Sequence, residues 1–170
     1  MKLEERIRDV PDFPKKGIIF KDITPLLKDT AAFKYVIDLL TERYHDKGVE
    51  VVVAMEARGF ILGAPLAYKL GVAFVPVRKV GKLPAETVSA QYSLEYGVDS
   101  LEMHKDAILP SQKVLIIDDL LATGGTIAAT IELVEKLGGE VIGIAFLIEL
   151  TFLNGRQKLK DYQVMSLIQY

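Results

Sequence analysis

Apolar residues gather in four short blocks along the chain: 49–55 (VEVVVAM), 72–77 (VAFVPV), 113–117 (KVLII) and 140–150 (EVIGIAFLIEL). Each is rich in Val, Ile or Phe and short for a helix. Continuous rather than alternating apolarity means that both faces are covered, the habit of parallel strands with helices on either side. Between the blocks the spacing turns helical. In residues 30–46, Phe33, Val36, Ile37, Leu40 and Tyr44 step by three and four, and Gly48 follows as a helix-ending residue. Residues 60–70 follow the first strand and stop at Gly71, and residues 126–137 put Ile127, Ile131 and Val134 on one face before Gly138 and Gly139. Strand alternating with helix predicts an α/β fold: a mostly parallel central sheet flanked by helices, with right-handed crossovers. The tail predicts a short helix (NGRQKLKDY) and a last strand (VMSLIQY).

Two stretches escape this pattern. Residues 1–29 contain a short polar helix and then PDFPKKGIIFKDITP. Residues 79–110 run long with neither helical nor strand periodicity, and a loop of that length in a small domain is ordinarily functional or mobile.

Composition narrows the picture. A chain of 170 residues fits one domain, and a globule of this size buries roughly 70% of its unfolded surface. Hydrophobic residues at 50% and charged residues at 26% argue against disorder. Lys and Arg number 21 against 23 Asp and Glu, a net charge of -2, so no bulk positive field points to nucleic acid. With no Cys, disulfides, thiolate zinc sites and Cys nucleophiles are excluded, and His45 and His104 are too few for a His-rich metal site. Both His are read as structural or surface residues. The first residues are charged rather than signal-like, and the longest clean apolar run, VIGIAFLI, falls far short of the roughly 20 residues of a membrane span. A soluble, cytoplasmic protein is expected.

The chemistry concentrates in residues 113–126, KVLIIDDLLATGGT. An apolar strand ends in Asp118 and Asp119, a Thr-Gly turn follows, and a helix begins at once. Ligands of open α/β sheets bind at the carboxyl ends of strands, and a helix N-terminus there offers unpaired N–H groups and a positive dipole end to a phosphate. Gly124 and Gly125 let backbone approach an anion, while Thr123 and Thr126 add hydroxyl donors. Two carboxylates would repel a polyphosphate but accept hydrogen bonds from a sugar diol. The pattern asks for a phosphorylated sugar. The plainer reading, a Thr cap and a tight glycine turn, leaves the paired acids unexplained. Other phosphate signatures, G-x-x-x-x-G-K-[ST] and G-x-G-x-x-G, are absent.

VLIIDDLLATGGT resembles the phosphoribosyl pyrophosphate motif of the type I phosphoribosyltransferases. PDFPKKGIIFKDITPLL, EARGFILGAPLA, VPVRKVGKLPAET and YSLEYG are similar, in order and over most of residues 6–150, to blocks of the adenine-using members of that family. The resemblance implies that fold, with residues 1–29 as a small hood that binds the base and 79–110 as a flexible catalytic loop. It also implies the reaction: adenine displaces pyrophosphate from phosphoribosyl pyrophosphate, with magnesium, giving AMP.

Residue roles follow from the same resemblance. Asp118 and Asp119 would hold the ribose hydroxyls, and Ala122, Thr123, Gly124, Gly125 and Thr126 the sugar's phosphate. Arg58, Arg78, Lys79 and Lys82 would bind pyrophosphate; RKVGK taken alone is an ordinary solvated loop. Magnesium would be held by substrate oxygens and water rather than by a protein cage. Phe20 would stack on adenine, Leu120 close the other face and the backbone of Ile19 read the amino edge. Lys21 stands where the family often carries Arg. Ala122 stands where hypoxanthine- and guanine-using relatives usually carry Asp, so the proton of the base would be managed by Glu95, with Tyr96 closing a lid. A cis peptide near Glu56-Ala57 and a homodimer, with Arg78 approaching the neighbour's site, are further expectations. Two alternatives stay open: a xanthine-specific relative, and a regulator that keeps the fold and binds nucleic acid.

Overall fold

The computed structural model describes residues 1–93 and 98–170. The expected roles of Glu95 and Tyr96 therefore lie outside the described residues. Chain contacts separate two units, Met1–Leu40 and Thr41–Tyr170.

In the first unit the expected polar helix is a single 3₁₀ turn, Glu4–Arg6. An antiparallel hairpin follows, β1 (Arg8–Pro11) and β2 (Ile19–Asp22), with Val10 opposite Phe20. Proline and lysine spacing gave no sign of these two strands. Opposite charges face each other across the pair: Arg8 Nε donates to Asp22 at 2.9 Å and Lys21 Nζ to Asp9 at 2.7 Å. After α1 (Thr24–Lys28), the Asp29 carboxylate accepts from the Ala31 and Ala32 amides at 3.0 and 3.1 Å, an N-cap that starts α2 (Thr30–Tyr44). Val36, Ile37, Leu40 and Tyr44 are buried, as their spacing predicts.

The second unit carries β3 (Val51–Met55), α3 (Arg58–Leu70), β4 (Ala73–Lys79), β5 (Thr87–Ser93), β6 (Val98–His104), β7 (Lys113–Leu121), α4 (Gly125–Lys136), β8 (Glu140–Glu149) and β9 (Val164–Gln169). They form one seven-stranded sheet in the order β5-β6-β4-β3-β7-β8-β9. Strands β4, β3, β7, β8 and β9 are parallel, whereas β6 is antiparallel to both β4 and β5. This is the expected α/β fold with a mostly parallel sheet. Both faces are covered: Val51, Val53, Val114 and Ile116 pack in one cluster with Ile127, Ile131 and Val134 of α4. On the other face Gly63 of α3 sits so close to Ala54, Phe74 and Ile117 that a Cβ would come within 2.7 Å of the Ala54 methyl. Such two-sided burial is why β3 is entirely apolar.

Within residues 79–110 the structure differs from the expected long loop. The segment contains the β5–β6 pair, in register from Thr87 opposite His104 to Ser93 opposite Val98. Its alternation is masked by small and polar residues: Val88, Ala90 and Tyr92 share the inward face, separated by Ser89 and Gln91. The turn that precedes β5 is fixed by buried Glu102, whose carboxylate accepts from the Gly81 and Leu83 amides at 3.1 and 3.0 Å and from the Thr87 hydroxyl. In the tail the expected helix is a 3₁₀ turn, Gly155–Leu159, before β9. His45 bonds the Glu42 carbonyl and His104 accepts from the Ala85 amide, both structural contacts.

Candidate active site

A cavity of about 290 Å³ opens at the carboxyl ends of β3 and β7. Its floor is residues 118–127, and Glu56, Ala57, Arg58, Lys79 and Tyr92 complete the wall. The placement follows from sheet order, because β3 and β7 are adjacent and parallel and so deliver Met55–Arg58 and Asp118–Ala122 to the same edge.

The turn after β7 leads directly into α4. Gly124 stands at its N-cap with φ 78, a left-handed conformation suited to glycine, and no side chain caps the helix. The first-turn amides therefore have no side-chain cap. This removes the plainer reading in which Thr123 or Thr126 is simply a cap. The Tyr92 ring packs against this turn, 3.6 Å from where a Gly125 Cβ would be.

Behind that turn sit the two acids. Asp118 Oδ1 accepts from the Asp119 amide at 2.9 Å, and Gly59 at the start of α3 leaves room for it, since a Cβ there would lie 2.8 Å from the same oxygen. Asp119 is buried, and its Oδ2 lies 2.8 Å from Arg58 Nε as an ion pair without accepting a hydrogen bond from any described residue. Burial, and then the charge of Asp119, pushes the Asp118 carboxyl well up. Burial likewise pushes Asp119 up, against the pull of Arg58. The fold thus holds two neighbouring acids at the cavity, with Arg58 as the counter-charge of Asp119.

Of the four expected pyrophosphate cations, Arg58 and Lys79 line the cavity. Lys79 Nζ pairs with Asp99 at 3.0 Å, and the Tyr92 hydroxyl donates to the same carboxylate at 3.2 Å. Their contact, first the Lys79 hydrogen bond, lowers the Asp99 carboxyl and raises the Lys79 amine. Arg78 and Lys82 are not among the lining residues. Arg78 donates to Glu56 at 3.0 Å and to the Lys82 carbonyl at 3.3 Å. Burial favours a neutral Glu56, but the Lys79 amide at 2.7 Å and the Arg78 guanidinium outweigh it and hold the carboxyl low. The Glu56-Ala57 peptide is cis, as the resemblance implies. Leu120 and Ala122 line the cavity.

Ile19, Phe20 and Lys21 belong to β2 of the first unit. Ile19 is exposed, and Phe20 is half-buried with its ring edge-on to Phe13 at 5.2 Å. Tyr92, Asp99 and Glu56 were not singled out in the sequence; Tyr92 could have been found from the alternation of Val88, Ala90 and Tyr92. Among the described residues no three His, Asp or Glu side chains gather as a metal cage. The hard carboxylate oxygens at the cavity suit a cation that arrives with a phosphorylated substrate.

Comparison with known proteins agrees with this geometry. The phosphoribosyl transferase domain model matches residues 23–169. The chain is 63% identical to adenine phosphoribosyltransferase of Thermoanaerobacter sp. (strain X514), over 100% of both chains, and 61% identical to the Clostridium tetani (strain Massachusetts / E88) enzyme, over 100% of this chain and 99% of the relative. The crystal structure of adenine phosphoribosyltransferase from Thermoanaerobacter pseudethanolicus superposes with a TM-score of 0.97 at 62% identity, covering 99% of this chain and 98% of that one. The Saccharomyces cerevisiae enzyme, complexed with an imino-altritol bisphosphate and adenine, gives 0.92 at 42% identity, covering 98% and 96%.

Proposed function

Because the chain belongs to the phosphoribosyl transferase family, we propose that it transfers the phosphoribosyl group of phosphoribosyl pyrophosphate to adenine, giving AMP and pyrophosphate in purine salvage. One observation carries the reading: Asp118 and the buried Asp119 share one cavity with the helix start that follows them, which no side chain caps. Full-length relatives at about 60% identity favour adenine over xanthine, and the net charge of -2 gives the nucleic-acid regulator no support.

In this mechanism the amides and hydroxyls of Ala122–Thr126 take the sugar's phosphate, while Asp118 and Asp119 accept hydrogen bonds from the ribose hydroxyls. Displacement at the anomeric carbon builds positive charge on the sugar, and these carboxylates stabilise it while fixing the ring in line. Arg58 and Lys79 meet the leaving pyrophosphate, with Asp99 as the Lys79 counter-ion before it arrives. Magnesium, supplied with the substrate, offsets part of the diphosphate charge. Ile19, Phe20, Lys21 and Leu120 are assigned to adenine, Glu95 to its departing proton and Tyr96 to the lid, on the resemblance. The family match crosses the boundary between the two units, which favours reading both as one phosphoribosyltransferase domain. The reading is completed by a cytoplasmic homodimer in which Arg78 approaches the neighbouring site, with Lys82 a further pyrophosphate cation on the resemblance.

The test mixes the protein with magnesium, phosphoribosyl pyrophosphate and each purine separately. AMP from adenine is expected; nucleotide from an oxopurine alone overturns the specificity.

A further inference from the structure

The phosphate turn has a back wall. Gly155, in the tail after β8, lies against it: a Cβ on Gly155 would overlap the Ala122 carbonyl oxygen and come within 3.0 Å of the Leu121 side chain. The contact is mutual, since a Cβ on Gly124 would stand 2.8 Å from the Gly155 carbonyl oxygen. Backbone thus meets backbone with no side chain between, and the position of one fixes the other.

What fixes Gly155 is the next residue. Arg156 Nε donates to Glu149 Oε1 at 2.9 Å, its Nη2 pairs with the other carboxylate oxygen, and its Nη1 donates to the Val164 carbonyl at 3.0 Å. The carboxylate is buried at 4% exposure and also accepts from the Ser166 hydroxyl at 2.6 Å. A bidentate fork of this kind sets direction as well as distance. Glu149 stands opposite Leu121 in the β7–β8 register, and the Leu150 amide donates to the Leu121 carbonyl at 2.9 Å. The ion pair therefore joins the end of β8 to the tail turn and β9, and β8 is in turn bonded to the end of β7 at Leu121, the residue before the turn.

We infer that Gly155 and the Glu149–Arg156 pair are positioning residues for the sugar-phosphate subsite, holding the turn at residues 122–125 in the conformation that presents its amides. The inference rests on the reading of that turn as the phosphate site. Calorimetric titration with ribose 5-phosphate, without base or magnesium, separates the two. Wild type that fails to bind overturns the site and the inference with it. Wild type that binds, with Gly155→Ala at least tenfold weaker and its far-ultraviolet spectrum unchanged, supports the inference; equal binding by a folded Gly155→Ala overturns it.

Steady-state kinetics add a readout that loss of fold does not produce. KM for phosphoribosyl pyrophosphate is expected to rise about tenfold in Gly155→Ala, with KM for adenine unmoved and kcat falling far less. Glu149→Gln combined with Arg156→Met leaves no buried charge unpaired and decides the matter should the alanine variant not fold. The same KM split is expected, and a wild-type KM in that folded double variant overturns the inference.

Discussion

Among single residues, Asp118 and Asp119 are acids that the fold holds against their preference for water. Asp118 has its carboxyl pushed up by burial and by Asp119. A folded-state value above the unfolded one means that the native protein binds more protons through that interval, so this group costs stability increasingly as pH rises through it. Asp118→Asn is therefore expected to raise the melting temperature at pH 7, with the gain shrinking as pH falls toward the ordinary aspartate range. The same change removes an acceptor for a ribose hydroxyl. Charged hydrogen bonds contribute about 1.5–3 kcal/mol, so kcat/KM is expected to fall by roughly 10- to 150-fold. A scan of melting temperature against pH, beside steady-state kinetics, checks both signs. Glu95 is a different case, since its role comes from the YSLEYG block alone. General acid–base help is typically worth about 100- to 10,000-fold, so Glu95→Gln is expected to lower kcat by at least about 100-fold with little change in substrate affinity. An unchanged kcat removes Glu95 from the mechanism.

At the scale of elements, what the sequence made legible depended on how burial is distributed. Strands β3, β7 and β8 are covered on both faces and read as unbroken apolar runs, while α4 showed its buried stripe at Ile127, Ile131 and Val134. The β5–β6 pair was hidden because its inward positions include Ala90 and its outward ones Ser and Gln, and the β1–β2 hairpin because charge pairs rather than an apolar face join it. The Asp-Asp-turn-helix segment was legible because every part lies in consecutive residues. Tyr92, Asp99 and Glu56 were not, because only strand order brings them to the cavity or to its lysine.

Gly63→Ala forces α3 away from Ala54, Phe74 and Ile117; overpacking of this kind costs about 1–3 kcal/mol, to be read as a lower midpoint in urea at unchanged slope. The Arg156 fork holds the Glu149 carboxyl below its usual range. That contribution to stability is present above the ordinary glutamate value and lost as pH falls through the lowered folded one. The stability difference between wild type and Glu149→Gln is thus expected to be largest near neutrality and to close in acid.

For the whole molecule, a mostly parallel sheet brings the residues after β3 and β7 to one edge, where the proposed function puts a sugar, a phosphate and a diphosphate. Among the described residues no helix is long and apolar enough to cross a membrane. The proposed function fixes where the nucleotide's sugar and phosphate sit, and a crystal structure of the protein grown with AMP is the direct test. The phosphate is expected within hydrogen-bonding distance of the amides of residues 123–126 and the ribose hydroxyls on Asp118 and Asp119. Ribose phosphate density anywhere else on the protein contradicts it.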